Sequence, residues 1–144
     1  MRFDLIAHRL DEFLPLIYMW EIHAENGSIV GRYVGQAKSG ASRPLNHYSR
    51  NVANILADKA YRKGNPTGFR RIHHALAQAE RAGLQITLQF LCNVAPHENI
   101  NDVEQLQIRL HNCAGGEVWQ LNGPRSKLRS ENPTPPAMGF TAPR

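Results

Sequence analysis

The sequence has little of what marks a secreted, membrane-spanning or metal-stapled protein. It holds two cysteines, Cys92 and Cys113, enough for one disulfide at most. Two reduced, largely buried thiols are the expectation in a cytoplasmic protein. Paired C-x-x-C or H-x-x-x-H elements are missing, and His97, His111 and Cys113 make no recognised zinc spacing. No apolar run approaches the roughly 20 residues a membrane helix needs. The opening MRFDLIAHRLDEF carries acids and no apolar run with a cleavage site, so no signal peptide is expected and cytoplasmic residence is the default. Internal repeats and sizeable low-complexity blocks are absent. Acids are the minority charge, with 12 Asp plus Glu against 17 Lys plus Arg, a net +5 over 144 residues. That balance favours a polyanionic partner and salt-sensitive binding, although basic proteins that bind no nucleic acid are common.

What is present fits one small domain with a single core. The spacing of apolar residues over 4–14 predicts a short leading helix. The run 15–24 (PLIYMWEIHA) is dense in strand formers, 25–28 (ENGS) carries an Asn-Gly turn, and 29–37 (IVGRYVGQA) reads as the returning strand of an antiparallel hairpin. A helix is expected to open at Ser42–Pro44 and run to Gly64, because proline suits a first helical turn. A second helix is expected over 67–83 with Thr67 as cap and Gly83 as terminator. A third strand over 84–94, a helix opening at Asn101, and a short strand-like 118–122 complete the order. The segment 124–144, rich in proline and basic residues, reads as a flexible tail. The expected organisation is therefore a helical extension over 1–14, a domain over 15–123 and the tail. The expected fold class is a small α/β (α+β) sandwich on a three-stranded, mainly antiparallel sheet.

The stretch RYVGQAKSGASRPLNHY breaks from strand to helix with polar side chains on both sides of the break. Together with the preceding strand it resembles the GIY-YIG nuclease family. Leu16-Ile17-Tyr18 matches the first motif, with leucine where the name has glycine, and Tyr33-Val34-Gly35 matches the second. Arg43 and His47 stand where the family has an arginine and, one turn on, a histidine or tyrosine. Glu104 stands where it has a glutamate near the start of a later helix, and Asn122 where it has an asparagine shortly beyond. The resemblance covers about 15–123 and keeps the order of all six.

The resemblance implies a metal-dependent DNA endonuclease that leaves a 5′-phosphate and a 3′-hydroxyl. Hydrolysis of a phosphodiester needs a water that loses a proton, cationic stabilisation, and a metal on the phosphate. Tyr18 is the expected group for activating water, with Tyr33 and His47 shaping its hydrogen bonds. A phenol is a poor base unless positive charge lowers its pKa. Arg43 is the expected phosphate clamp, through its forked guanidinium. Being followed by Pro44, it is expected at the helix cap rather than inside the helix. Glu104 is the expected ligand of one Mg²⁺ (or Mn²⁺) per site, an ion that takes few protein carboxylates and keeps its waters. Asn122 is expected to fix local backbone.

Plainer accounts exist for each residue alone. Tyrosines fill half-buried strand positions, Glu104 is spaced to close a capping box with Asn101, and Arg43 and His47 suit a solvated helix face. Lys38 is a candidate phosphate contact, and Arg70 and Arg71 are candidate DNA contacts, though exposed basic positions are ordinary. His73 and His74 are adjacent on a helix and face apart, poor geometry for one metal. The rival function is a nucleic-acid-binding module of the same fold without cleavage. DNA is the expected partner in either case, membrane is not, and the sequence leaves open a homodimer or a partner protein.

Overall fold

Strand formers with period two build the sheet. LIYMWEIH forms β2 (Leu16–His23), IVGRYVGQA forms β3 (Ile29–Ala37), and QITLQFLCN forms β4 (Gln85–Asn93). The computed structural model describes residues 1–123, and the expected tail over 124–144 lies outside the described residues. β2 lies between β3 and β4 and is antiparallel to both. The β2–β3 turn closes with Gly27 N–H donating to the Ala24 carbonyl at 2.9 Å, and Gly27 takes φ 86°, a conformation that glycine adopts at little cost. The sheet has four strands rather than the expected three. A two-residue β1 (Asp4–Leu5) pairs parallel with β4, giving the order β1-β4-β2-β3.

The helix expected over 4–14 is therefore absent. The outer edge of β4 offers unpaired backbone groups, and Asp4, Leu5 and Ile6 satisfy them; Ile6 N–H donates to the Leu88 carbonyl at 2.9 Å. An isolated helix of that length is marginal in water. The segment instead packs into the fold, with Phe3 edge-on to Trp20 at 5.1 Å and His8 against Phe90 at 4.7 Å.

Three α-helices follow, α1 (Tyr48–Leu56), α2 (Arg71–Ala82) and α3 (Ile100–Leu110), with a π-helical turn at Arg43–His47 leading into α1. Alternate residues of β2 choose the layer. Leu16, Tyr18, Trp20 and Ile22 pack with Tyr48, Val52, Ile72 and Leu76 of α1 and α2. Ile17 and Met19 pack with Val34, Ile108 and Cys113 on the α3 side. The result is a mixed sheet between two helical layers. Each fully buried aliphatic side chain stabilises it by about 1.5–3 kcal/mol.

Two helix boundaries differ from expectation. α1 ends at Leu56, well short of Gly64, because Asp58 takes φ 58° and Lys59 N–H donates to the Asn54 carbonyl at 2.7 Å, a Schellman closure. α2 begins after Arg70, not Thr67, since 61–66 folds back on itself with Tyr61 N–H donating to the Pro66 carbonyl at 3.0 Å. No described helix is long and apolar enough to cross a membrane.

Candidate functional site

Tyr18 lies on the α1–α2 face of the central strand, opposite Gly35 of β3. A Cβ at position 35 would sit 2.5 Å from Cζ and Oη of Tyr18. Glycine is required there because the phenol ring lies directly over the β3 backbone. β4 bulges beside this point, with Ile17 opposite Cys92 but Tyr18 opposite Phe90, leaving Leu91 unpaired in the register. The Tyr18 hydroxyl then meets the Tyr48 hydroxyl at 2.6 Å, both rings being buried.

Arg70 completes this cluster from the start of α2. Its guanidinium donates to the Tyr33 hydroxyl at 2.9 Å and to the Tyr48 hydroxyl at 3.1 Å. Three phenols thus surround one permanent cation. Even so, burial pushes the Tyr18 phenol up to about 12, with Tyr33 adding to the rise and its hydrogen bond to Tyr48 and the Arg70 and Arg43 charges opposing it. Burial raises Tyr33 and Tyr48 as well. The phenols stay neutral near pH 7, and Tyr18, 1% exposed, is out of reach of solvent. The expectation that Tyr18 activates water meets an obstacle in this burial; its visible role is to hold Tyr48.

A hollow of about 420 Å³ is lined by Gln36, Lys38, Ser39, Ser42, Arg43 and His47. Arg43 is helical, contrary to its expected place at the cap: the turn starts one residue earlier, at Ser42, and Pro44 falls in the first turn where its missing N–H costs nothing. Arg43, His47 and Lys38 are exposed, and neither Arg43 nor Lys38 makes a hydrogen bond or ion pair with a described residue. Desolvation together with the Arg50 and Arg43 charges lowers the His47 pKa below its usual 6.5, so the imidazole is neutral at pH 7.

Glu104 of α3 is joined to this hollow through Gln36, which lines it. Its Oε1 accepts from Gln36 Nε2 at 3.1 Å, and the same amide donates to Asn101 Oδ1 at 2.8 Å. The carboxylate is close enough to Tyr33 to raise that phenol, and Arg70 in turn acts on Glu104. Burial raises the Glu104 pKa while the Gln36 hydrogen bond and the Arg70 charge pull it down. The capping-box account of Glu104 does not hold: the cap is Asn99, whose side chain accepts from Asn101 and Asp102 N–H groups at 2.9 and 3.3 Å. Among the described residues Glu104 Oε2 has no partner, and no cluster of three or more His, Cys, Asp or Glu side chains is arranged for a metal. One carboxylate with a free oxygen beside an open hollow fits Mg²⁺, which keeps most of its waters, and does not fit zinc.

Asn122 stays outside the hollow. Its side chain acts as a substitute strand partner for the free edge of β3, accepting from Val34 N–H at 2.8 Å and donating to the Val34 carbonyl at 2.7 Å. Arg71 is also elsewhere, donating to the Gln120 and Val118 carbonyls at 3.2 and 3.0 Å. It ties the 118–122 segment to α2 while remaining exposed. Arg70 is tied into the phenol cluster rather than standing on a plain basic face.

Sequence reasoning passed over Tyr48 and Gln36. Read as an ordinary helix, Arg43 shares a face with His47 at i+4. The turn is π-helical, and the buried Tyr48 that follows it lines a second cleft together with Arg43 and His47. Comparisons with protein-family models, curated proteins and solved structures gave no significant match.

Proposed function

We propose that the chain is a metal-dependent DNA endonuclease of the GIY-YIG type. The observation that supports this reading is Glu104 set beside Tyr33 and Arg70 and joined through Gln36 to the hollow that Arg43 and His47 line. Four segments, β3, the Arg43–His47 turn, the start of α2 and α3, contribute a phenol, cations, a neutral imidazole and one carboxylate to this region. Packing and capping account for none of the hollow's exposed polar groups.

Arg43 would grip the non-bridging oxygens of the scissile phosphate with two N–H groups, and Lys38 would add a point charge from the loop. Glu104 Oε2 would hold Mg²⁺ or Mn²⁺, which when bound neutralises developing charge on the phosphate and leaving oxygen. His47, neutral and exposed, is the group matched to accept a proton from the attacking water at neutral pH. Tyr33 stands beside the carboxylate with its hydroxyl oriented by Arg70, suited to donate a hydrogen bond to water or phosphate. Tyr18 and Asn122 act as positioning residues: Tyr18 sets Tyr48, and Asn122 fixes the strand that carries Tyr33. The family resemblance implies 5′-phosphate and 3′-hydroxyl products.

The test is nicking of supercoiled plasmid with Mg²⁺ by the wild type, Glu104→Ala and Arg43→Ala. Wild-type nicking that both substitutions reduce by at least about 100-fold is the expected result. DNA binding retained with no metal-dependent nicking by the wild type would assign the chain to a binding module instead.

A further inference from the structure

A second cleft, of about 310 Å³, opens between α1 and the start of α2 on the other side of Arg43. Arg43, Arg50, Arg62 and Arg70 line it together with the amides of Asn51 and Asn54, and its wall contains no carboxylate. Arg50 and Arg62 are exposed, and neither side chain hydrogen-bonds or pairs with an acid among the described residues. Four guanidinium groups facing one cleft repel each other, and an anion placed between them removes that cost. Two histidines of its lining register the same field: beyond burial, the Arg50 and Arg43 charges lower His47, and the Arg70, His74 and Arg43 charges lower His73.

The outer wall is built rather than loose. Arg62 and Asn65 exchange backbone hydrogen bonds at 3.2 and 3.1 Å, closing a hairpin whose tip is Arg62-Lys63-Gly64-Asn65. Tyr61 anchors it, packed edge-on against Phe69 at 5.2 Å with the Arg62 guanidinium over its ring at 4.9 Å. The hairpin brings Tyr61 and Arg62 to the cleft wall.

We propose that the α1–α2 cleft binds a second, non-scissile backbone phosphate of the DNA, with Arg50 and Arg62 as its contacts. This rests on the nuclease reading, since the cleft shares Arg43 and His47 with the hollow and so continues the path of a strand held there. The contacts are guanidinium to phosphate oxygen, and they carry register rather than sequence information. Two phosphates held on either side of Arg43 fix the strand direction across the site.

Fluorescence anisotropy of a labelled duplex in EDTA, over a range of KCl, tests this without cleavage. Arg50→Ala and Arg62→Ala each weaken binding by about tenfold and reduce the slope of log K against log salt by about 1, equally for unrelated sequences. Arg81→Ala, an equal charge change on an exposed residue at the far end of α2, leaves the slope unchanged. Thermal melts establish that the variants are folded. Arg50→Ala and Arg62→Ala matching Arg81→Ala, or a wild type that binds no duplex, overturns the proposal. A wild type that binds with these slopes but cuts nothing in Mg²⁺ overturns the nuclease reading and leaves the phosphate cleft standing.

Discussion

Replacing Gly35 with alanine puts the link between motif and site under direct stress. The new methyl would lie 2.5 Å from Tyr18 Cζ and Oη, well inside contact distance, and the ring is fully enclosed. Either β3 moves away from β2 or the ring swings off Tyr48 and gives up the 2.6 Å hydrogen bond. Overpacking of this kind costs about 1–3 kcal/mol, and losing a buried hydrogen bond adds about 0.5–1.5 kcal/mol. A loss of about 1–4.5 kcal/mol follows. Equilibrium unfolding in urea reads it as a lower midpoint at unchanged slope, by about 1 M for 2 kcal/mol at a slope near 2 kcal/mol/M. Gly116→Ala is the control, because a Cβ there meets nothing within 4 Å. A second arm uses Tyr18→Ala: with the ring gone, Gly35→Ala becomes markedly cheaper, and the coupling between the two positions measures the clash. Gly35→Ala as stable as Gly116→Ala, or an equal penalty with and without the Tyr18 ring, would refute the reasoning.

Other outcomes follow from the same geometry. The kcat/KM profile of wild-type DNA cleavage should be level above pH 7 and fall in acid with a midpoint below 6.5, tracking the lowered His47, and His47→Ala should lose about 100-fold or more; a rate still climbing through pH 9 would place the proton on a phenol instead. His73, 1% exposed, accepts from Arg70 N–H at 3.0 Å and has its pKa lowered to about 4, chiefly by burial and then by the Arg70 charge. The unfolded state therefore binds the extra proton between pH 6.5 and 4, and stability present above 6.5 is lost as pH falls through that window, by up to about 3 kcal/mol; urea midpoints at pH 7 and pH 4.5 measure it, and an acid limb unaltered in His73→Gln would contradict it. Asn122→Ala strips both partners from Val34 and should cost about 1–3 kcal/mol in urea unfolding, with hydrogen exchange at Val34 accelerated first.

The hairpin was legible because its signals are local: strand formers at period two around Asn-Gly, read within about twenty residues of chain. β1 was not, since Asp4 and Leu5 are strand only because β4 offers them an edge, and nothing in residues 4–14 encodes the position of Thr87 and Leu88. The α1 end was missed for a different reason. Asp58 is an ordinary helix residue until it adopts the left-handed conformation that closes the Schellman turn. At the candidate site, residue types in order along the chain picked out Arg43 and His47, which line one hollow, and Tyr33 and Glu104, which lie close to each other. Sequence spacing assumed ordinary helical register, so it overlooked Tyr48, buried after a π-helical turn, and it had no means of showing that Gln36 would join Glu104 to the hollow. The bonds of exposed Arg71 were not legible because its partners are backbone carbonyls more than forty residues away.

The most direct test of the central claim is the chemistry of the broken strand. Plasmid nicked by the protein in Mg²⁺ is treated with DNA ligase, which reseals only adjoining 5′-phosphate and 3′-hydroxyl ends. The account predicts nicks that appear only with divalent metal, disappear with Glu104→Ala, and are resealed in full. Nicks that form in EDTA, persist without the Glu104 carboxylate, or resist ligation would contradict it.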